Sequence, residues 1–109
     1  MAYSEELAQR IRTLLKKRTG LVEKKMFGGV GFLLYGNMAC GITQNHLVIR
    51  VGPDNYQSFL ALPHVKEFDI TGRPMRGWVM VSLAGYETDQ DLTFWVEQAV
   101  QFSRTLPAK

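Results

Sequence analysis

Two arginines three residues apart, Arg73 and Arg76, lie in the segment Gly72-Arg73-Pro74-Met75-Arg76-Gly77, a loop bracketed by glycines. Two guanidinium groups on a constrained loop can grip a carboxylate or a phosphate bidentately. Conspicuous polar residues on loops are also where partner contacts concentrate. The plainer alternative is a solvated loop whose arginines pair with Glu67 or Asp69. Trp78, just beyond, extends the same surface if its strand face is uncovered, and is core otherwise.

A second basic group is formed by Lys16, Lys17, Arg18, Lys24 and Lys25. Residues 1 to 25 hold seven Lys/Arg against three Glu, a net of +4, while the remaining 84 residues hold six against seven, a net of −1. The whole excess of the +3 chain therefore sits at the end of one helix and just after it. Such a patch suits nucleic-acid phosphate or an acidic partner. It also suits a helix C-terminus, where cations complement the dipole, and no aromatic or glycine-rich nucleic-acid motif interleaves these residues.

The remaining chemical groups are sparse. Cys40 with His46 or His64 would make a nucleophile and base, but Cys40 falls between Ala39 and Gly41 in an apolar run, a position that suits a small buried hydrophobe. The three residues have no CxxC or HxxxH spacing, so neither a metal nor any other cofactor is expected. Gly28-Gly29-Val30-Gly31 resembles a phosphate loop only in its glycines, because an apolar strand follows where an anion site needs a helix N-terminus. Glycines before a strand more simply permit a bend or a close crossing. No catalytic constellation emerges, and the expectation is a protein without enzymatic activity.

These residues need a scaffold, and 109 residues make one domain. Hydrophobic residues at 46% against 21% charged suit a folded globular chain. There is no apolar run of membrane-spanning length and no basic, then apolar, secretory leader. One cysteine forms no intrachain disulfide, consistent with the cytoplasm.

Ser4 followed by Glu5 and Glu6 starts a helix, and Leu7, Ile11, Leu14 and Leu15 continue one apolar stripe over about residues 4 to 18. From Met26 the pattern changes to strands: Val30 to Leu34, a turn at Gly36-Asn37, Met38 to Thr43, a turn at Gln44-Asn45-His46, and Leu47 to Val51. Gly52-Pro53-Asp54 opens a second helix that Pro63 stops. Phe68-Asp69-Ile70 forms a short fourth strand and Trp78 to Leu83 a fifth. Thr88 or Asp89 caps a last helix with Leu92, Trp95, Val96, Ala99, Phe102 and Leu106 on its apolar face. The order α-β-β-β-α-β-β-α predicts an α+β fold, a two-layer sandwich with helices on one face of a five-stranded antiparallel sheet.

Several short motifs then fall in one order along most of the chain. They are Lys25-Met26-Phe27-Gly28-Gly29, Gly36-Asn37-Met38, Leu47-Val48-Ile49-Arg50-Val51-Gly52, Phe68-Asp69-Ile70-Thr71-Gly72-Arg73-Pro74-Met75 and the Trp78-Val79-Met80-Val81 strand. With the tryptophan-bearing last helix, this series resembles the N-terminal domain of the TfoX (Sxy) proteins, regulators of natural competence. The resemblance implies a fold similar to the secretion chaperones and a small regulatory, protein-interaction module. It makes Met26, Phe27, Gly28 and Gly29 a structural motif, and the transcription machinery or a second copy of the chain the expected partners. The competence regulators carry a further helical domain, whereas these 109 residues end with the last helix of the first, so a stand-alone member is expected. Nucleic-acid binding through the basic end of the first helix is the alternative.

Overall fold

A computed structural model describes residues 4–16, 18, 20–26, 29–69 and 75–107. Its first helix, α1 (Glu5–Leu15), starts where the sequence places it. The Ser4 hydroxyl accepts from the Leu7 amide at 3.2 Å, and Glu5 and Glu6 occupy the first turn at the positive end of the dipole. Leu7, Ala8, Ile11 and Leu15 form its buried stripe. The helix ends at Leu15, three residues earlier than its basic tail suggests. The Arg18 amide closes on the Leu15 carbonyl, and Gly20, at φ +76°, turns the chain into a strand.

That strand, β1 (Leu21–Met26), makes the sheet six-stranded where five strands were expected. Lys24 and Lys25 therefore lie within an edge strand and not in a connection. β2 (Gly29–Leu34), β3 (Asn37–Thr43) and β4 (His46–Arg50) continue the antiparallel meander. The first hairpin turns on Tyr35 and Gly36, both at positive φ, so Asn37 belongs to β3 and not to the turn. Gln44, also at positive φ, carries the second turn with Asn45, and His46 opens β4.

α2 (Tyr56–Leu60) follows, shorter than the expected helix from Pro53. β5 (Val65–Glu67) precedes the predicted position, leaving Phe68 and Asp69 outside the strand and Ile70 outside the described residues. β6 (Trp78–Val81) is cut short of Leu83 because Ser82 turns the chain into α3 (Leu83–Tyr86), a helix the alternation did not reveal. Gly85 is needed there, since a Cβ would sit 2.6 Å from Val81 Cγ1. Its carbonyl accepts from Trp95 Nε1 at 3.2 Å. α4 (Asp89–Ser103) is capped by Thr88, whose hydroxyl accepts from the Asp91 amide at 3.1 Å.

The strand order is β1-β2-β3-β4-β6-β5, antiparallel throughout. All four helices contribute to a single apolar core on one face: Leu7, Ile11 and Leu15 from α1, Tyr56 from α2, Tyr86 from α3, and Leu92, Trp95 and Val96 from α4. Phe32, Cys40, Leu47, Ile49, Val79 and Val81 meet them from the sheet. This is the α+β two-layer arrangement expected, with one more strand and one more helix.

Candidate functional site

Alternation decides which strand residues face away from the helices. In β1, Leu21 and Glu23 point to the helical side, so Val22 and Lys24 point to the other. In β4 and β6, Leu47, Ile49, Val79 and Val81 enter the core, which turns His46, Val48, Arg50, Trp78 and Met80 outward. Among the described residues the helices pack on the first face, and only Phe102 of α4 reaches a residue of the second, Arg50 at the strand end. The surface of the second face is made by partly buried Leu33, Met38, Met80 and Trp78.

The register lines six of these positions into one row across the whole sheet. Lys24 pairs with Gly31, Gly31 with Gly41, Gly41 with Val48, Val48 with Met80, and Met80 with Lys66. A lysine therefore stands at each edge, with apolar residues and two adjacent glycines between. Val48 and both glycines are buried, and Met38 lies over Gly41: a Cβ there would stand 2.9 Å from its Cε and 2.8 Å from the Val30 carbonyl oxygen.

Charge on the face has one sign. The only carboxylates in the six strands are Glu23 and Glu67. Both alternate to the helical side, where Glu23 meets Arg12 and Glu67 accepts from the Tyr56 hydroxyl at 3.3 Å. Lys24, Lys66, Arg50 and His46 remain on the uncovered face. His46 is held below the ordinary imidazole pKa, first by burial and then by the nearby Lys66 ammonium.

One end of the face is aromatic. The Arg50 guanidinium lies 5.3 Å from the ring centres of both Trp78 and Phe102. Buried Phe68 packs on Trp78 with centroids 6.1 Å apart. Trp78 is thus on the uncovered face, as the sequence left open, with its ring engaged by two neighbours.

Of the loop arginines, Arg76 is exposed and has no ion pair among the described residues, while Arg73 lies outside them. The basic group of the first helix is divided. Lys16 is exposed, Lys17 lies outside the described residues, and Arg18 is committed to Glu97 of α4 at 3.0 Å. Lys24 and Lys25 point to opposite faces of β1. In the glycine motif, Met26 ends β1, Phe27 and Gly28 lie outside the described residues, and Gly29 crosses so close to the Ile42 carbonyl that a Cβ would collide with it. That is a packing role for Gly29, as its place before a strand suggests.

Cys40 faces the helical core, and burial pushes its thiol up to about 12. His46 lies on the opposite face of the sheet, and His64 is exposed after α2. The cysteine and His46 therefore do not meet, and among the described residues no group of three His, Cys, Asp or Glu is placed to hold a metal ion. A cleft of about 460 Å³ lies between the Val51–Asn55 turn and Gln98, Gln101, Phe102 and Thr105 of the α4 end. Its lining offers amides and one aromatic edge without a titratable pair. Among the described residues no helix is long and apolar enough to cross a membrane.

Sequence reasoning missed Lys66, Arg50, Met38 and Met80 as surface partners of Lys24. Their alternation was visible, but which side the helices would cover and which residues would align across strands depend on long-range pairing.

The architecture is an open antiparallel sheet backed by helices on one face, with a lysine at each edge of the other. The chain belongs to the TfoX N-terminal domain family, whose model matches residues 13–103. No curated protein and no solved structure shows a match to it.

Proposed function

We propose that this chain is a non-catalytic regulatory module that acts by binding another protein through the uncovered face of its sheet. The observation that carries the reading is the one-sided placement of the helices. All four pack on one layer, leaving Leu33, Met38, Met80 and Trp78 only partly buried on the other. A sheet face so apolar is costly to leave in water and gains by being covered. Membership of the TfoX family supports a regulatory setting, with transcriptional control of competence genes as the family's own context. The buried Cys40, turned away from His46, supports a non-enzymatic reading.

A photo-crosslinking amino acid at position 80, compared with one at exposed Gln90 on the helical side, tests this in host cells. A discrete protein adduct from position 80 and none from position 90 is expected. Adducts from neither position, with a monomer in solution, would overturn the reading.

A further inference from the structure

Resting on that reading, we infer that the uncovered face receives an acidic amphipathic helix of a partner protein, laid across the strands along the row from Lys24 to Lys66. Five inter-strand steps separate these lysines. At about 4.8 Å each they span roughly 24 Å, the length of a helix of about 16 residues at 1.5 Å per residue. Carboxylates in the first and last turns of such a helix reach one lysine each. Its apolar stripe meets Met80 and Met38, which lie over the low, buried centre of the row formed by Val48 and the paired Gly31 and Gly41.

The backbone chemistry selects a helix over an extended segment. The inner strands already spend their amides and carbonyls on neighbouring strands. A strand laid flat on the face would leave its own polar groups without partners, whereas a helix satisfies them internally. Met38 over Gly41 and Met80 beside Val48 are unbranched side chains able to re-pack around an incoming stripe.

Charge excludes other occupants. A second copy docked face to face would set lysine edges against like charge, and its α1 and α4 apolar stripes are already buried in its own core. Along the axis of a duplex each nucleic-acid strand carries a phosphate about every 3.4 Å. Most of those charges would fall on hydrocarbon between the two lysine edges, and the Trp78 ring is already engaged by Arg50 and Phe68.

The test uses two designed 18-residue helical peptides with an identical leucine stripe, one with glutamates and one with lysines in both end turns. Methyl NMR of Met38 and Met80 and the fluorescence of Trp78 in a Trp95→Phe variant report binding to the full chain. The glutamate peptide is expected to shift both methyls, and the lysine peptide to bind at least ~10-fold more weakly. A Lys24→Glu/Lys66→Glu variant, folded by circular dichroism, is expected to weaken the glutamate peptide by about 10-fold or more and to strengthen the lysine peptide, since each unit of 1.4 kcal/mol is a factor of ten. Equal binding of the two peptides, shifts confined to the helical side, or shifts produced by a single-stranded oligonucleotide and not by peptide would each overturn the inference. A protein adduct from position 80 with no response to the glutamate peptide would sink the helix while leaving the interaction module standing. Loss of both would remove both.

Discussion

Arg12 of α1 and Glu23 of β1 form a two-pronged ion pair, Nε to Oε1 and Nη2 to Oε2, both at 2.6 Å. The pair fastens the first helix to the edge strand that brings Lys24 onto the uncovered face. The hydrogen bonds from Arg12 hold the Glu23 carboxyl below its ordinary pKa of 4.5. A carboxylate with a lowered folded pKa stabilises the native state at pH above its unfolded value, and that contribution is lost as pH falls through the folded value. Glu23→Gln should therefore cost about 0.5–1 kcal/mol at pH 7, where exposed pairs typically contribute, and progressively less as pH falls below 4.5. The low end is expected, because Arg12 keeps Glu5 at 3.5 Å. Urea denaturation of both proteins at pH 3 and pH 7 measures this, and an equal gap at the two pH values would refute it.

Cys40 predicts the opposite slope. Burial raises its thiol from 9.0 to about 12, so above pH 9 the unfolded chain sheds a proton that the folded chain retains. Stability then falls with rising pH, by at most about 1.4 kcal/mol per unit for one group. Cys40→Ala should remove that slope, seen as a narrowing gap to the parent between pH 8 and pH 10. The native thiol should also resist a disulfide reagent at pH 8 and titrate fully in denaturant. Rapid reaction of the native protein would mean that the thiol is not sealed in the core.

The contrast between what these residues do and how they read in sequence has a physical basis. α1, α4 and the first hairpin were legible because their signals are local: hydroxyl caps at Ser4 and Thr88, a 3.6-residue stripe, and a two-residue turn. β1 was hidden because an edge strand is half solvated, and Leu-Val-Glu-Lys-Lys-Met looks like a polar connection until Glu23 finds Arg12 eleven residues away. α3 was hidden because the apolar run of β6 passes into Leu83 without a break in composition. The uncovered face was hidden for a deeper reason. The inner strands are apolar on both sides at their centres, so only assembly with the helices separates Val48 and Met80 from Leu47 and Val81.

Asn37 ties the first hairpin to the end of the chain. Its buried side-chain amide donates to the Pro107 carbonyl at 2.8 Å, which draws the segment after α4 back against β3. Asn37→Ala removes the donor but leaves an exposed carbonyl that water can satisfy, so the cost should be about 1 kcal/mol. Asn37→Asp replaces the donor with a second acceptor and should cost roughly twice that at pH 7. Acid should restore part of the loss, since the protonated carboxyl can donate again. Chemical denaturation at pH 7 and pH 4 orders the three proteins. An aspartate variant as stable as the alanine variant at both pH values would show that Asn37 makes no directed bond.

Gly52 and Phe102 should be coupled through both shape and backbone. Gly52 follows β4 at φ +87°, its amide donating to the Gly77 carbonyl at 3.0 Å, and an added Cβ would run into the Phe102 ring. Gly52→Ala then carries two costs, about 1–2 kcal/mol for the left-handed backbone and about 1–3 kcal/mol for forcing an extra carbon against packed atoms. Phe102→Ala removes the ring and with it the second cost, while also releasing Arg50 from one of its two aromatic partners. In the Phe102→Ala background, Gly52→Ala should accordingly cost only the backbone part. A double-mutant cycle by urea denaturation should show a coupling of at least about 1 kcal/mol between the two positions. Additive losses would mean that the ring yields freely, and that Gly52 is required for its backbone conformation alone.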